Sequence, residues 1–215
     1  RDWSSDVCSS DLGERYYEND WFEMKTFDDS FENRVFTPQE TPGSIFDLSV
    51  GVCQKIYNHE FLKNIDAQFP EGIFFEDMPF FYYVFLKASK ISIVKKKLYV
   101  RRKHPDSITN RVDEKFFDTV RAGQILMGMF IQNGWYERYK YDLLAYKING
   151  PRFALRDMPF KHKKHMFDLI KKDYAEIKST KYYDDFLVEL GPVKRKFFLD
   201  VINARDYEEF KKTSQ

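Results

Sequence analysis

"FPEGIFFEDMPFFYYVFLKASKISIV", residues 69–94, sets two adjacent acids, Glu76 and Asp77, just before an unbroken aromatic and aliphatic run, Phe80 to Leu86. An ionised carboxylate loses hydration beside that much apolar surface, so the pair must cap a helix, meet a partner or do chemistry. Asp77 suits an N-cap, and Pro79 falls in the first turn, where a missing N–H does no harm. Residues 78–89 then read as a helix that is apolar nearly all round, and therefore buried on most sides. Capping and function are compatible. A carboxylate held by backbone N–H groups is fixed in place and can face a pocket. Its neighbours Phe74, Phe75 and Phe80 would restrict water and raise its pKa toward that of a useful general base. Glu76 reads as a surface acid or an orienting partner.

Downstream, "KISIV" and "KLYVRR" read as two short strands joined by the basic turn Lys95–Lys97. On the second strand's continuation Arg102 and His104 would share a face. A guanidinium beside an imidazole makes an anion site suited to phosphate. An exposed basic strand end is the plain alternative. A nucleic-acid groove is a third reading, weakened by a formal net charge of only +1.

Upstream, Thr37 reads as the cap of a short helix from Pro38 to Leu48. Ser49–Tyr57 reads as a strand or extended segment running into a loop. "NHEFLKNI" reads as a short helix and "FPEG" as a turn. Beyond Pro105 the texture is helical. The periodicity predicts helices over 113–132 (ending at Asn133-Gly134), over 135–149 (stopped by Gly150-Pro151) and along the basic "FKHKKHMFDLIKKDYAEI". Two shorter helices follow Gly191-Pro192 and Ala204. Residues 13–110 thus read as mixed α/β and residues 111–215 as an all-α extension.

The bulk composition excludes some classes. Hydrophobic content of 43% and aromatic content of 18% argue against disorder, and no apolar run is long enough to cross a bilayer. Two cysteines, Cys8 and Cys53, are too few for a disulfide scaffold and favour a reducing compartment. There is no P-loop, G-x-G-x-x-G, G-x-S-x-G or Asp-x-Asp. His162 and His165 sit on a lysine-rich helix with no third ligand nearby in the sequence, and read as a solvated face rather than a metal site. That same helix could lie on an anionic membrane surface, although a plain amphipathic helix explains it as well.

Residues 1–12, "RDWSSDVCSSDL", lack the apolar core of a signal peptide. Asp2 to Leu12 resembles the translated tail of a sequencing-library adapter. The segment is therefore expected to be non-native, with the true coding sequence cut short behind it.

Three segments in order, "SVGVCQKIYNHEFL", "FPEGIFFEDMPFFYYVFLKASKISIV" and "LYVRRKHPDSIT", resemble the C-terminal half of the catalytic domain of bacterial family 2 glycosyltransferases. The resemblance covers roughly residues 13–110. It implies the acceptor-side half of a Rossmann-like α/β nucleotide-sugar transferase domain, followed by the helical extension. It implies transfer of a sugar, with inversion, from a nucleotide-sugar donor to a cell-surface polysaccharide or glycolipid acceptor. Asp77 matches the catalytic base, with Glu76 beside it. Arg102 and His104 fall where members place basic residues near the donor diphosphate. Lys55 matches the Lys of a Trp-Asn-Lys segment, although Cys53 and Gln54 replace its first two residues. A divalent cation, Mn²⁺ or Mg²⁺, is expected in the full-length enzyme. Its Asp-x-Asp ligands are absent here, so the fragment is expected to transfer no sugar by itself. The expected location is cytoplasmic, with peripheral contact at the inner face of the membrane left open, and no nucleic-acid partner is expected. The competing reading is a non-catalytic module that docks a membrane surface or a partner protein.

Overall fold

The computed structural model describes residues 26–96, 98 and 113–213. Of these, 66% are helical and none lies in a strand, so the α/β Rossmann-like half is corrected to an all-helical fold. The physical reason lies in local interruptions. Phe36 and Ile91 exchange N–H···O=C bonds at 2.8 Å each way, and Glu32 bridges Ile93, but the pairing stops there. The 3₁₀ turn Asp29–Phe31 and the left-handed Asn33 (φ 63°) break the partner segment before a ladder can grow. Ser49–Tyr57 does not form a strand either. Its backbone turns through a 3₁₀ helix at Val52–Gln54, and the Lys55 ammonium takes the Ser49 and Gly51 carbonyls that a ladder would need. The expected strand at "KLYVRR" lies outside the described residues save for Leu98, as does the adapter-like segment 1–12.

The expected helix at Pro38–Leu48 starts as read. The Glu40 carboxylate accepts from the Thr37 N–H (2.8 Å) and hydroxyl (3.0 Å). It ends after one 3₁₀ turn, Pro38–Glu40, because Pro42 and the left-handed Gly43 (φ 66°) follow, and a second turn forms at Ile45–Asp47.

The α-helices are α1 (His59–Asn64), α2 (Asp77–Lys87), α3 (Asp118–Gln132), α4 (Tyr136–Asp157), α5 (Phe160–Lys178), α6 (Tyr183–Val188), α7 (Pro192–Asn203) and α8 (Tyr207–Thr213). α3 ends as expected at Asn133 and the left-handed Gly134. The expected stop of α4 at Gly150-Pro151 is not observed, since the helix runs seven residues past Gly150. Pro151 removes the N–H that would bond the Lys147 carbonyl. Tertiary packing outweighs that loss, because Ala154 and Leu155 beyond the proline are buried in the same core as Leu143, Leu144 and Ile148 before it.

One core runs through all of this. Phe81, Tyr82, Phe85 and Leu86 of α2 join Leu126 and Phe130 of α3, the buried face of α4, and Phe167, Ile170 and Tyr174 of α5. Phe186 and Phe198 stack at 4.9 Å and close the far end. A satellite of three rings, Phe27, Phe31 and Phe36, packs at centroid distances of 5.1–5.2 Å against Ile91 and Ile93.

Among the described residues, the core holds one ion pair. Lys147 of α4 donates to both Asp173 oxygens of α5 (3.1 and 2.8 Å), and Gln124 of α3 donates to Asp173 Oδ1 at 2.9 Å. Both charged side chains are nearly inaccessible, at 2% and 4%. Gly123 faces this pair, and a Cβ there would sit in van der Waals contact with Lys147 Cγ at 3.4 Å.

Candidate functional site

The loop ahead of α2 aims the acid pair. The Phe74 N–H donates to Asp118 Oδ2 at 2.8 Å, and Arg121 donates to the Gly72 carbonyl at 3.3 Å, so the start of α3 pins the loop from two sides. Phe75 is held at φ 66°, a left-handed conformation uncommon for a bulky side chain, with its ring edge-on to Phe116 at 5.1 Å. Such strain persists only where surrounding structure over-determines it, and it tends to gather at functional sites.

Asp77 is the first residue of α2 rather than its cap. Glu76 holds the cap position with helical angles (φ −62°, ψ −26°) and no side-chain capping bond, which corrects the expected Asp77 N-cap. The Asp77 carboxyl is half-buried. Burial first, and the Glu76 charge second, push its pKa above the ordinary carboxylate value. The Met78 N–H, its own N–H and the Lys55 charge pull the other way without cancelling the rise. The direction is the one expected of a general base.

Lys55 stands within electrostatic reach of Asp77, but its ammonium is already engaged. It donates to Ser49 O at 2.6 Å and Gly51 O at 2.8 Å, and lies over the Phe81 ring at 4.5 Å from the centroid. Burial brings its pKa down to about 8, opposed by the charges of Cys53 and Asp77. In this position Lys55 clasps the 49–55 loop onto α2 beside the acid pair. Cys53 itself is free and exposed.

An aromatic shelf flanks the carboxylate. Phe69 stacks on Phe80 at 3.8 Å with planes 10° apart, and Tyr57 meets Phe80 edge-on at 5.7 Å. Phe69 and Phe74 are each more than two-fifths exposed, and Ile56 is fully exposed. The Tyr57 hydroxyl is buried without a hydrogen-bond partner among the described residues. Burial, and then the Asp77 charge, raise its pKa to about 12. Tyr146 of α4 also feels the Asp77 charge.

Glu76, Asp77 and Lys55 are therefore brought together, whereas Arg102 and His104 lie outside the described residues. Tyr57 and Tyr146 were not singled out in the sequence. Tyr57 follows Lys55 by two positions and could have been found from it. Tyr146 is remote in sequence and carries no local signal. Elsewhere, His162 and His165 pack around the Phe117 ring, with His162 Nδ1 3.7 Å from a Glu114 oxygen.

Among the described residues no three His, Cys, Asp or Glu side chains gather where they could hold a metal ion. The described residues thus offer no ligand set for the divalent cation expected of the full-length enzyme. No described helix is long and apolar enough to cross a membrane. No protein-family model, curated protein or solved structure matches the chain.

Proposed function

We propose that this chain is the acceptor side of an inverting glycosyltransferase, with Asp77 as its general base. The observation that carries the reading is the half-buried carboxyl of raised pKa, fixed at the start of a buried helix and flanked by exposed aromatic rings. The C–H-rich face of a sugar ring is apolar and suits an aromatic face, so Phe69 and Phe74 can seat a saccharide acceptor or the saccharide of a glycolipid. Asp77 then accepts the proton of an acceptor hydroxyl while that oxygen attacks the anomeric carbon of the donor sugar. The anomeric carbon–oxygen bond breaks, the nucleotide diphosphate leaves with the electron pair, and the configuration inverts. Glu76 keeps the Asp77 proton affinity high, and Lys55 keeps the loop and carboxylate in register. The reaction is placed on the cytoplasmic side of the cell envelope, serving polysaccharide or glycolipid synthesis.

The test assays the protein encoded by the full genomic reading frame that contains this chain with a panel of nucleotide sugars, Mn²⁺ or Mg²⁺, and saccharide and glycolipid acceptors. Transfer with inverted anomeric configuration is the expected result. Absence of transfer across the panel from that protein, when folded, sinks the reading.

The clasp makes a separate prediction about pH. The Lys55 charge favours ionised Asp77, so Lys55→Met allows the carboxyl pKa to rise further. The acid limb of the turnover profile should therefore move to higher pH. Above about pH 8 the wild-type lysine itself loses its proton, and the two profiles should converge. An acid limb unmoved by the substitution, in a protein of normal melting temperature, would show that Lys55 has no influence on the base.

A further inference from the structure

A second feature lies on the other side of the acid pair. A cavity of about 390 Å³ opens between the loop before α2, the 3₁₀ turn at Glu114–Phe117, and helices α3 and α4. Its wall is mostly hydrocarbon, with Phe75, Met78, Phe116, Pro151 and Ala154 as the main surfaces. Gly123 and Gly150 also line it. At liquid-like density it holds on the order of a dozen non-hydrogen atoms, and a wall of this kind favours apolar occupants.

The mouth has the opposite character. Phe153 lies at the rim, 42% exposed, with the Arg156 guanidinium 4.9 Å and the Arg152 guanidinium 5.5 Å from its ring centroid. Asp157, the acid at this rim, is already matched by Arg156 through two bonds of 2.6 and 2.7 Å. Lys163 adds a further cation, donating to the Arg156 carbonyl at 2.7 Å. Arg152 forms no ion pair among the described residues. The rim therefore carries surplus positive charge around an apolar hole.

We propose that this cavity binds the hydrocarbon tail of a single-chain anionic amphiphile, whose carboxylate or phosphate head is held by Arg152 and Arg156. The apolar wall and a volume of about 390 Å³ suit a hydrocarbon tail, and the rim's charge selects the sign of the head. The inference stands independently of the role given to Asp77.

Dodecyl phosphate, dodecanoate, dodecanol and dodecyltrimethylammonium, each below its micelle concentration, would be titrated by calorimetry into the whole chain. The expected result is saturable one-to-one binding of both anions, at least tenfold weaker binding of the alcohol, and none of the cation. Ala154→Leu fills the cavity from its wall and should weaken both anions at least tenfold. Arg152→Glu/Arg156→Glu changes only the surface, and should remove the preference for anions while leaving alcohol binding in place. This double variant keeps the test decisive where Ala154→Leu fails to fold. A phosphate preference over carboxylate would point to a lysophospholipid source, and equal binding to a free fatty acid. Absence of saturable binding, undiminished binding by folded Ala154→Leu, or an anion preference that survives the charge reversal would each overturn the proposal. Anionic phosphatidylglycerol vesicles form the last arm. If they bind the chain while the dissolved amphiphiles do not, the basic rim is a membrane-adsorbing surface and the cavity assignment falls.

Discussion

In the full-length enzyme, Asp77→Asn is expected to lower glycosyl transfer by roughly 10²–10⁴-fold while leaving the melting temperature unchanged or higher. The amide cannot take the acceptor proton, yet it matches the carboxylate in shape and in its ability to accept from the N–H groups at the helix start. The sign on stability follows from the pKa. Folding raises the Asp77 pKa, so the stability linked to its neutral form is present below the unfolded value. It is lost as pH rises through the folded value. At neutral pH the ionised group thus opposes folding, and a neutral isostere removes that opposition. Turnover and thermal melting measured on one preparation separate the alternatives. Near-normal turnover returns Asp77 to a purely structural role, and a large loss of melting temperature means that the side chain was holding the helix. Glu76→Gln is the companion, expected to be milder and to shift the acid limb downward, because Glu76 raises the Asp77 pKa.

Asp173→Ala is expected to cost about 3–5 kcal/mol of stability, because it strands the Lys147 ammonium in a site with 2% exposure. For a chain of this size that corresponds to a fall in melting temperature of roughly 10 °C. The double replacement Lys147→Met/Asp173→Leu should recover most of the loss, since a buried pair exchanged for apolar residues of similar volume is often neutral or better. The comparison decides what the pair contributes. Recovery assigns it a role in registering α3, α4 and α5 against one another. A double variant as unstable as the single one would instead assign it net stabilisation.

The helices were legible where one residue type settles the local outcome. Asn133-Gly134 after α3, Gly191-Pro192 before α7 and the Asn58 side chain accepting from the Phe61 N–H at 2.9 Å all act within one turn of chain. Gly150-Pro151 was misleading for the converse reason. The signal to stop is local, whereas the burial of Ala154 and Leu155 that keeps α4 going depends on other helices. α6 went unnoticed because Tyr183–Val188 is short, and its helicity rests on Phe186 reaching the core. The β-branched pattern at Ile91–Ile93 correctly marks an extended segment, but a sheet needs an uninterrupted partner, and Asn33 denies it one. At the site, the apolar run after Asp77 made its desolvation legible. The clasp by Lys55 was not, because a lysine that bonds its own loop's carbonyls looks in sequence like any other.

The short connection between α3 and α4 bears on the order of assembly. These helices are consecutive, pack chiefly on each other, and are followed directly by α5. Contacts between sequence neighbours close small loops and form early, while distant pairings wait for longer closures. A hairpin nucleus in α3–α4 would therefore precede docking of the 49–57 loop onto α2. Pulse-labelled amide exchange should register protection in α3 and α4 first, and simultaneous protection of residues 49–57 would contradict that sequence of events. The proposed base thus sits at the seam between an early-forming helical body and a late-arriving loop. A newly made chain would be compact before it could become competent.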